Sequence, residues 1–376
     1  MFVRSVTFSL LLLAGAISLH GQQPTSTGSG SGSGLAADAS GKEIYRVACL
    51  TCHGAEGTGS PRELVGFSQE LPDFTDCSFA TPEPSADWFA VVHEGGPIRG
   101  LDRHMPAFGE ALSPIEIARV VEYVSSFCTD SAWPRGDLNL PRPLFTEKAY
   151  PENELVVSTG FDTDATHVTN HIVYERRLGK RNQFEAVVPF EVAQAAGAPT
   201  TGGIGDVSLG AKRTLYASTR SGRILSVGGE IALPTGSSSS DRGNGTLVFE
   251  PFAMFGQALG ATGFLQTQAG VEFPVDQDKA SREAFVRTAV GNSFMQDRGF
   301  GRAWTPMMEL LWARPESEGS EWDVVPQVQV TLSKLQHVAI AGGVRIPINR
   351  RDERHAQVVT YLLWDWFDGS LFDFWK

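Results

Sequence analysis

The sequence predicts a mixed fold, an all-α unit followed by an all-β antiparallel barrel of about twelve strands. Three observations carry this. Before residue 130 the apolar residues recur at helical spacing behind capping signals, and after residue 154 they alternate with period two. The composition agrees: 40 glycines and 23 phenylalanines in 376 residues suit a glycine-punctuated, aromatic β structure. With 41% hydrophobic and 20% charged residues the chain is not a disordered one. Its net charge of −12 excludes nucleic acid as the main partner, because phosphate binding needs a basic surface.

The first element reads as a signal peptide over residues 1–21. Arg4 supplies a positive charge, residues 6–19 are apolar or small, and Gly21 offers a cleavage site before Gln22. That apolar run is too short to span a bilayer comfortably, which argues against a membrane anchor and for export. Residues 22–35 form a Gly/Ser linker that cannot bury apolar surface. The helical unit is expected over residues 36–130.

Within it, Cys49-Leu50-Thr51-Cys52-His53 is a C-x-x-C-H sequence, the pattern of a c-type haem attachment site. On one helical turn the two thiols and the following imidazole share a face, so both thiols can reach one porphyrin while His53 meets its iron. A redox dithiol or half a zinc site would leave His53 unexplained, and no second C-x-x-C completes a zinc cage. One covalent haem c is therefore the expected cofactor, with His53 as the proximal ligand. Met105, in His104-Met105-Pro106, is the expected distal ligand, because the other five methionines lie in the signal region or the C-terminal half. His93 and His104 are the rival ligands. Ser113-Pro114-Ile115-Glu116 opens the last helix with a hydroxyl cap, a proline and a returning acid. Ile117, Val120, Val121, Val124 and Phe127 form its core face.

With these residues in place, residues 36–128 resemble a class I cytochrome c. The resemblance rests on Gly41 and Tyr45 in the first helix, Tyr123 in the last, the haem motif between them and the Met-Pro loop. It implies that the first and last helices cross beside the haem, around Tyr45 and Tyr123. Cys77 and Cys128 are left over. In an exported domain they can form a disulfide that pins residues 71–84 to the end of the last helix, the alternative being two buried free thiols.

Residues 131–153, rich in proline around Pro134, Pro141 and Pro143, read as a connector. Residues 154–376 read as the barrel. Phe184, Ala186, Val188 and Phe190 alternate with Gln183, Glu185, Val187 and Pro189, and Val338, Ile340, Gly342, Val344 and Ile346 repeat the pattern. Repeated runs of about ten residues with one apolar face are the mark of a transmembrane barrel. The opposite face is expected to be small and uncharged, as a narrow lumen would be. Trp304, Trp312, Trp322, Trp364 and Trp366 suit interfacial girdles. His167 and His171 are expected on the lumen or the surface, not as a metal pair. The blocks Gly205–Lys212 and Gly343–Asn349 resemble the outer-membrane transporter family linked to phenol degradation, which implies a channel for small apolar compounds.

The expected function is a one-electron carrier, not an enzyme, because His53 and Met105 together leave no open position on the iron. It would sit at the outer membrane with the haem domain in the periplasm, its partners a periplasmic redox protein and outer-membrane lipid. The alternative is a channel for small apolar compounds with an accessory cytochrome domain.

Overall fold

The computed structural model describes residues 36, 38–66, 71–163, 167–193, 201–237, 242–295, 302–316 and 318–365. The expected signal peptide, linker and residues beyond 365, Trp366 among them, lie outside this set. Helix α1 (Gly41–Ala48) starts at a capping box: the Ser40 hydroxyl accepts from the Glu43 amide, and the Glu43 carboxylate accepts from the Ser40 amide at 2.8 Å. α2 (Leu50–His53) follows at once, then the single turns α3 (Arg62–Val65) and α4 (Cys77–Ala80). α5 (Ser85–Glu94) leads through a 3-10 turn at Gly96–Arg99 to α6 (Pro114–Ser125), which Ser113 and Glu116 cap in the same way. α1 crosses α6 at Gly41, where a Cβ would stand 2.1 Å from the Arg119 carbonyl oxygen, so only glycine permits the approach. Tyr45 lies in the crossing, its ring 5.4 Å from Tyr123 and 5.3 Å from Phe127, with its hydroxyl donating to the Gly54 carbonyl. A disulfide joins Cys77 to Cys128 and ties α4 to the end of α6.

The strands are β1 (Glu154–Asp162), β2 (His167–Leu178), β3 (Asn182–Ala193), β4 (Thr201–Ile204), β5 (Val207–Ser218), β6 (Arg223–Leu233) and β7 (Val248–Leu259). They continue as β8 (Gly263–Pro274), β9 (Glu283–Asn292), β10 (Phe294–Met295), β11 (Ala303–Pro315), β12 (Glu321–Thr331), β13 (Val338–Pro347) and β14 (Gln357–Asp365). Every pairing is antiparallel between neighbours in the chain, except that β4 and β10 are short extensions bypassed by β3–β5 and β9–β11 pairs. β14 pairs with β1 from Glu154↔Asp365 to Asp162↔Gln357, which closes the ring. Among the described residues the wall is thus a closed barrel of twelve long strands.

Its alternation is the reverse of a water-soluble barrel's. Val157, Ile172, Tyr174, Leu209, Leu225, Val290, Leu310, Ile340 and Leu362 are exposed on the outside, Ile172 by 46%. Glu175, Gln183, Lys212, Ser226, Gln268, Glu309 and Gln327 are buried inside. An apolar exterior around a polar interior, with every strand paired, is the form a sheet takes when its outer solvent is hydrocarbon. The lumen is richer in charge than the small, uncharged face expected from the alternation. Of the girdle candidates, Trp304 and Trp322 are exposed, and Trp322 sits opposite Trp312. Trp364 instead packs against Val338, Leu155 and Leu332. His171 lies on β2 at lumen parity, and the side chain of His167 is outside the described set.

A wall of twelve strands encloses more space than its own side chains fill, since about eight strands is the size at which they suffice. The chain fills it with residues 138–152, which were expected to be a plain connector. Beyond the 3-10 turn Gly136–Leu138 the backbone of this segment forms no helix or strand, so wall side chains satisfy it. The Glu309 carboxylate accepts from the amides of Leu144, Phe145 and Thr146 at 2.8–3.1 Å. Gln266 donates to the Pro141 carbonyl, Lys212 to that of Lys148, Ser226 to that of Ala149 and Tyr361 to that of Arg142. Arg142 pairs with Glu154 and Glu175, and Lys148 with Glu152 and Glu154. Apolar plug residues pack on the wall between these contacts: Leu138 and Tyr150 with Ile224, Phe252 and Met254, and Leu140 with Phe264 and Met307. The barrel's core is therefore built around the plug. Among the described residues no helix is long and apolar enough to cross a membrane.

Candidate functional site

The candidate site is assembled where α1 passes into α2. Cys49 ends α1 and opens α2, and its carbonyl accepts from the amides of Cys52 (3.2 Å) and His53 (2.9 Å). That single turn puts both thiols and the imidazole on the wall of one cavity of about 520 Å³. Met105 reaches the same cavity from the loop before α6. Its loop is pinned at two points, the Gly96 amide donating to the Met105 carbonyl at 3.0 Å and the Met105 amide to Asp102 at 3.2 Å. Phe74, Trp88, Val91, Val120 and Val121 supply apolar walls, and the volume lies in the range of about 300–1,000 Å³ usual for cofactor pockets.

Burial holds the Cys49 thiol and the His53 imidazole of this cavity in their uncharged forms. Cys49 and Cys52 are not disulfide-bonded, and burial, then the neighbouring Cys52, pushes the Cys49 thiol up to about 11. Burial alone pushes His53 below the usual histidine range, which keeps it neutral, the form that ligates a metal. Its Nδ1 is buried with no hydrogen-bond partner, and its ring stacks on Phe74 at 4.9 Å. Such a buried orphan nitrogen costs about 1–3 kcal/mol in a site that holds nothing. A neutral imidazole, a thioether and two free thiols around an apolar cavity are a donor set that fits a covalently attached haem.

The rival ligands are placed differently. His104 lines the rim, but its side chain is 53% exposed and its Nδ1 lies 2.6 Å from Asp102 Oδ1. The His104 amide, and after it that side-chain contact, holds the Asp102 carboxyl below its ordinary range. His93 bonds Glu94 at 2.9 Å and does not line the cavity. Sequence reasoning missed two other contributors. Arg99 and Asp87, both buried, pair at 2.7 Å on the cavity wall. Leu335, from the turn between β12 and β13, lines the same cavity. A lone Arg and Asp twelve residues apart give no motif, and nothing local marks a barrel turn as part of a helical domain's pocket.

Residues 36–124 match the family model described as cytochrome C oxidase, cbb3-type, subunit III. The helical unit is a cytochrome c domain. The barrel is similar in fold to the KdgM porin solved with a disordered oligogalacturonate, at 9% identity and a TM-score of 0.40, over 57% of this chain and 99% of that one. It is also similar to an outer membrane channel from Pseudomonas putida F1, at 13% identity and a TM-score of 0.41, over 60% and 99% of the two chains. The NanC porin follows at 8% identity and a TM-score of 0.39, over 56% and 98%. No curated protein matches the chain.

Proposed function

We propose that this protein is a one-electron carrier fixed at the outer membrane of a two-membrane cell, with its cytochrome domain in the periplasm. The observation that carries the reading is the convergence of Cys49, Cys52, His53 and Met105 on one apolar cavity. In it Cys49 and Cys52 would tether haem covalently, and His53 and Met105 would hold its iron. Haem held by these residues would supply a one-electron couple, and with His53 and Met105 both on its iron substrate catalysis would have no open site. The chain's own residues do the rest. Tyr45, Phe74, Val120 and Val121 exclude water from the cavity, and the pinned Met105 loop keeps the thioether from swinging away.

The barrel serves as the anchor. Its apolar exterior suits lipid, and the channel alternative has the filled lumen against it, since residues 138–152 occupy the path a solute would take. The partner is a periplasmic redox protein. Residues 35–150 carry 17 acids against 9 bases, a field that draws a basic partner.

The test is haem staining of the full chain on a denaturing gel after expression in cells that mature c-type cytochromes. The reading expects colour that survives denaturation in the wild type and is lost in a Cys49→Ser/Cys52→Ser double variant. Colour lost from the wild type on denaturation would overturn the covalent assignment. Fractionation of the same cells places the band with outer-membrane or with soluble protein, and a soluble band overturns the anchor.

A further inference from the structure

The cavity that holds Cys49, His53 and Met105 is walled by two folds. Leu335, from the β12–β13 turn, lines it, and two residues further on His337 Nε2 lies 2.8 Å from Glu83 Oε1. His337 is 254 residues from Glu83 in sequence, and their side chains are 9% and 21% exposed, so this contact is a half-buried clasp between barrel and cytochrome domain. The turn carrying both residues is itself held. The His337 carbonyl accepts from the Asp365 amide at the end of β14, the Leu332 amide donates to the Val338 carbonyl, and Ser333 Oγ accepts from the Val338 amide.

The opposite flank of the Glu83 segment is gripped by the start of the plug. The Gly136 amide donates to the Thr81 carbonyl at 2.7 Å, and a Cβ on Gly136 would stand 1.8 Å from the Pro82 carbonyl oxygen. The Asp137 carboxylate accepts from both the amide and the hydroxyl of Ser85. Two residues later the chain is inside the barrel. Residues 81–85 are thus clamped between the plug and the β12–β13 turn. Lys180 with Asp130, and Arg181 with the Ala132 carbonyl, add contacts from the β2–β3 turn at the same barrel end.

We propose that the barrel completes the haem site. Leu335 is a wall of the cavity, the His337–Glu83 clasp is the positioning device that holds it there, and the cytochrome domain is a fixed port rather than a swinging shuttle. The inference rests on the reading of the cavity as a haem site. Its physical content is solvent exposure. An apolar side chain on the wall keeps water from the iron's surroundings, and a drier site disfavours the more highly charged oxidised state. The barrel therefore raises the reduction potential of a domain that could otherwise be taken to set it alone.

The test uses the full chain in lipid nanodiscs. Leu335→Ala removes the wall without touching a hydrogen bond, and His337→Gln removes the clasp. Leu310→Ala, on the lipid face, is the control. Midpoint potentials come from redox titration, and heat-modifiable gel mobility reports whether each barrel is folded. The expected result is a negative shift of the potential in Leu335→Ala and His337→Gln, with Leu310→Ala at the wild-type value and all barrels folded. Potentials that coincide with the wild type in folded Leu335→Ala overturn the proposal, and this variant decides alone if His337→Gln does not fold. A wild type without covalent colour removes the haem reading and the inference with it, an outcome distinct from coloured variants with unshifted potentials.

Discussion

Replacing Glu309 by alanine should unlatch the plug. Glu309 is 0% exposed, and its two carboxylate oxygens accept from three consecutive backbone amides, from the Thr146 hydroxyl at 2.6 Å and from the Gln327 side-chain amide at 2.5 Å. Alanine leaves four donors without an acceptor at the middle of the barrel, the Leu144 amide alone keeping one, Gln327 Oε1 at 3.0 Å. A buried unsatisfied donor costs about 1–3 kcal/mol, and water entering a polar lumen recovers part of it, so about 3–5 kcal/mol for the four stranded donors is a reasonable scale. That amount shifts a plug equilibrium by a factor of several hundred to several thousand. The assay is single-channel recording in planar bilayers with the full chain. The wild type should be silent, and Glu309→Ala should open in brief events whose conductance fits a narrow twelve-stranded pore. Glu309→Gln, which keeps an acceptor but loses the charge, should fall between them. A wild type that conducts steadily, or a folded Glu309→Ala as silent as the wild type, would refute the argument that these hydrogen bonds hold the lumen shut.

Three further outcomes are expected. Replacing Cys77 and Cys128 by serine releases a 51-residue separation, and loop-closure entropy sets the loss at about 4 kcal/mol, read as an earlier urea midpoint of the cytochrome domain's visible circular dichroism. Gly41→Ala forces a methyl onto the Arg119 carbonyl and should cost about 3 kcal/mol or more, with a lower yield of haem-loaded protein and the barrel's heat-modifiable mobility unchanged. The capping carboxyls Glu43 and Glu116 are both held below the ordinary carboxylate range, first by the side-chain and then by the backbone hydrogen bonds of Ser40 and Ser113. A depressed carboxyl contributes its stability above the unfolded value and loses it as pH falls through the folded one. The domain's urea midpoint should therefore be flat from pH 7 to about 5 and fall below about 4, and Glu116→Gln should lower the neutral plateau while flattening the acid limb.

What was legible in the sequence was what is local or periodic. The C-x-x-C-H run is one helical turn, and its three chemical groups meet because the turn is 3.6 residues. The capping boxes span four residues each. The strands could be read because lipid on one side imposes period two over ten residues at a time. The plug obeys neither rule. Its charged residues Arg142, Glu147, Lys148 and Glu152 resemble a solvated linker, and its decisive partners are remote, Glu309 lying 165 residues beyond Leu144. For the same reason the lumen looked uncharged: the acids and bases that line it answer to plug backbone and plug ions, which only the closed ring brings near. Trp364 kept the right parity for a girdle but is covered by Val338 and Leu155. Leu335 was hidden because its role belongs to a domain two hundred residues earlier.

The most direct measurement of the central claim is ferrous carbon monoxide binding by the full chain, with electron paramagnetic resonance of the ferric form, in wild type and Met105→Ala. With His53 and Met105 both on the iron, the wild type should be low-spin and take up carbon monoxide slowly or not at all. Met105→Ala should take it up at once, and His104→Ala should behave as wild type. A wild type that is high-spin and binds carbon monoxide as fast as Met105→Ala would contradict the account.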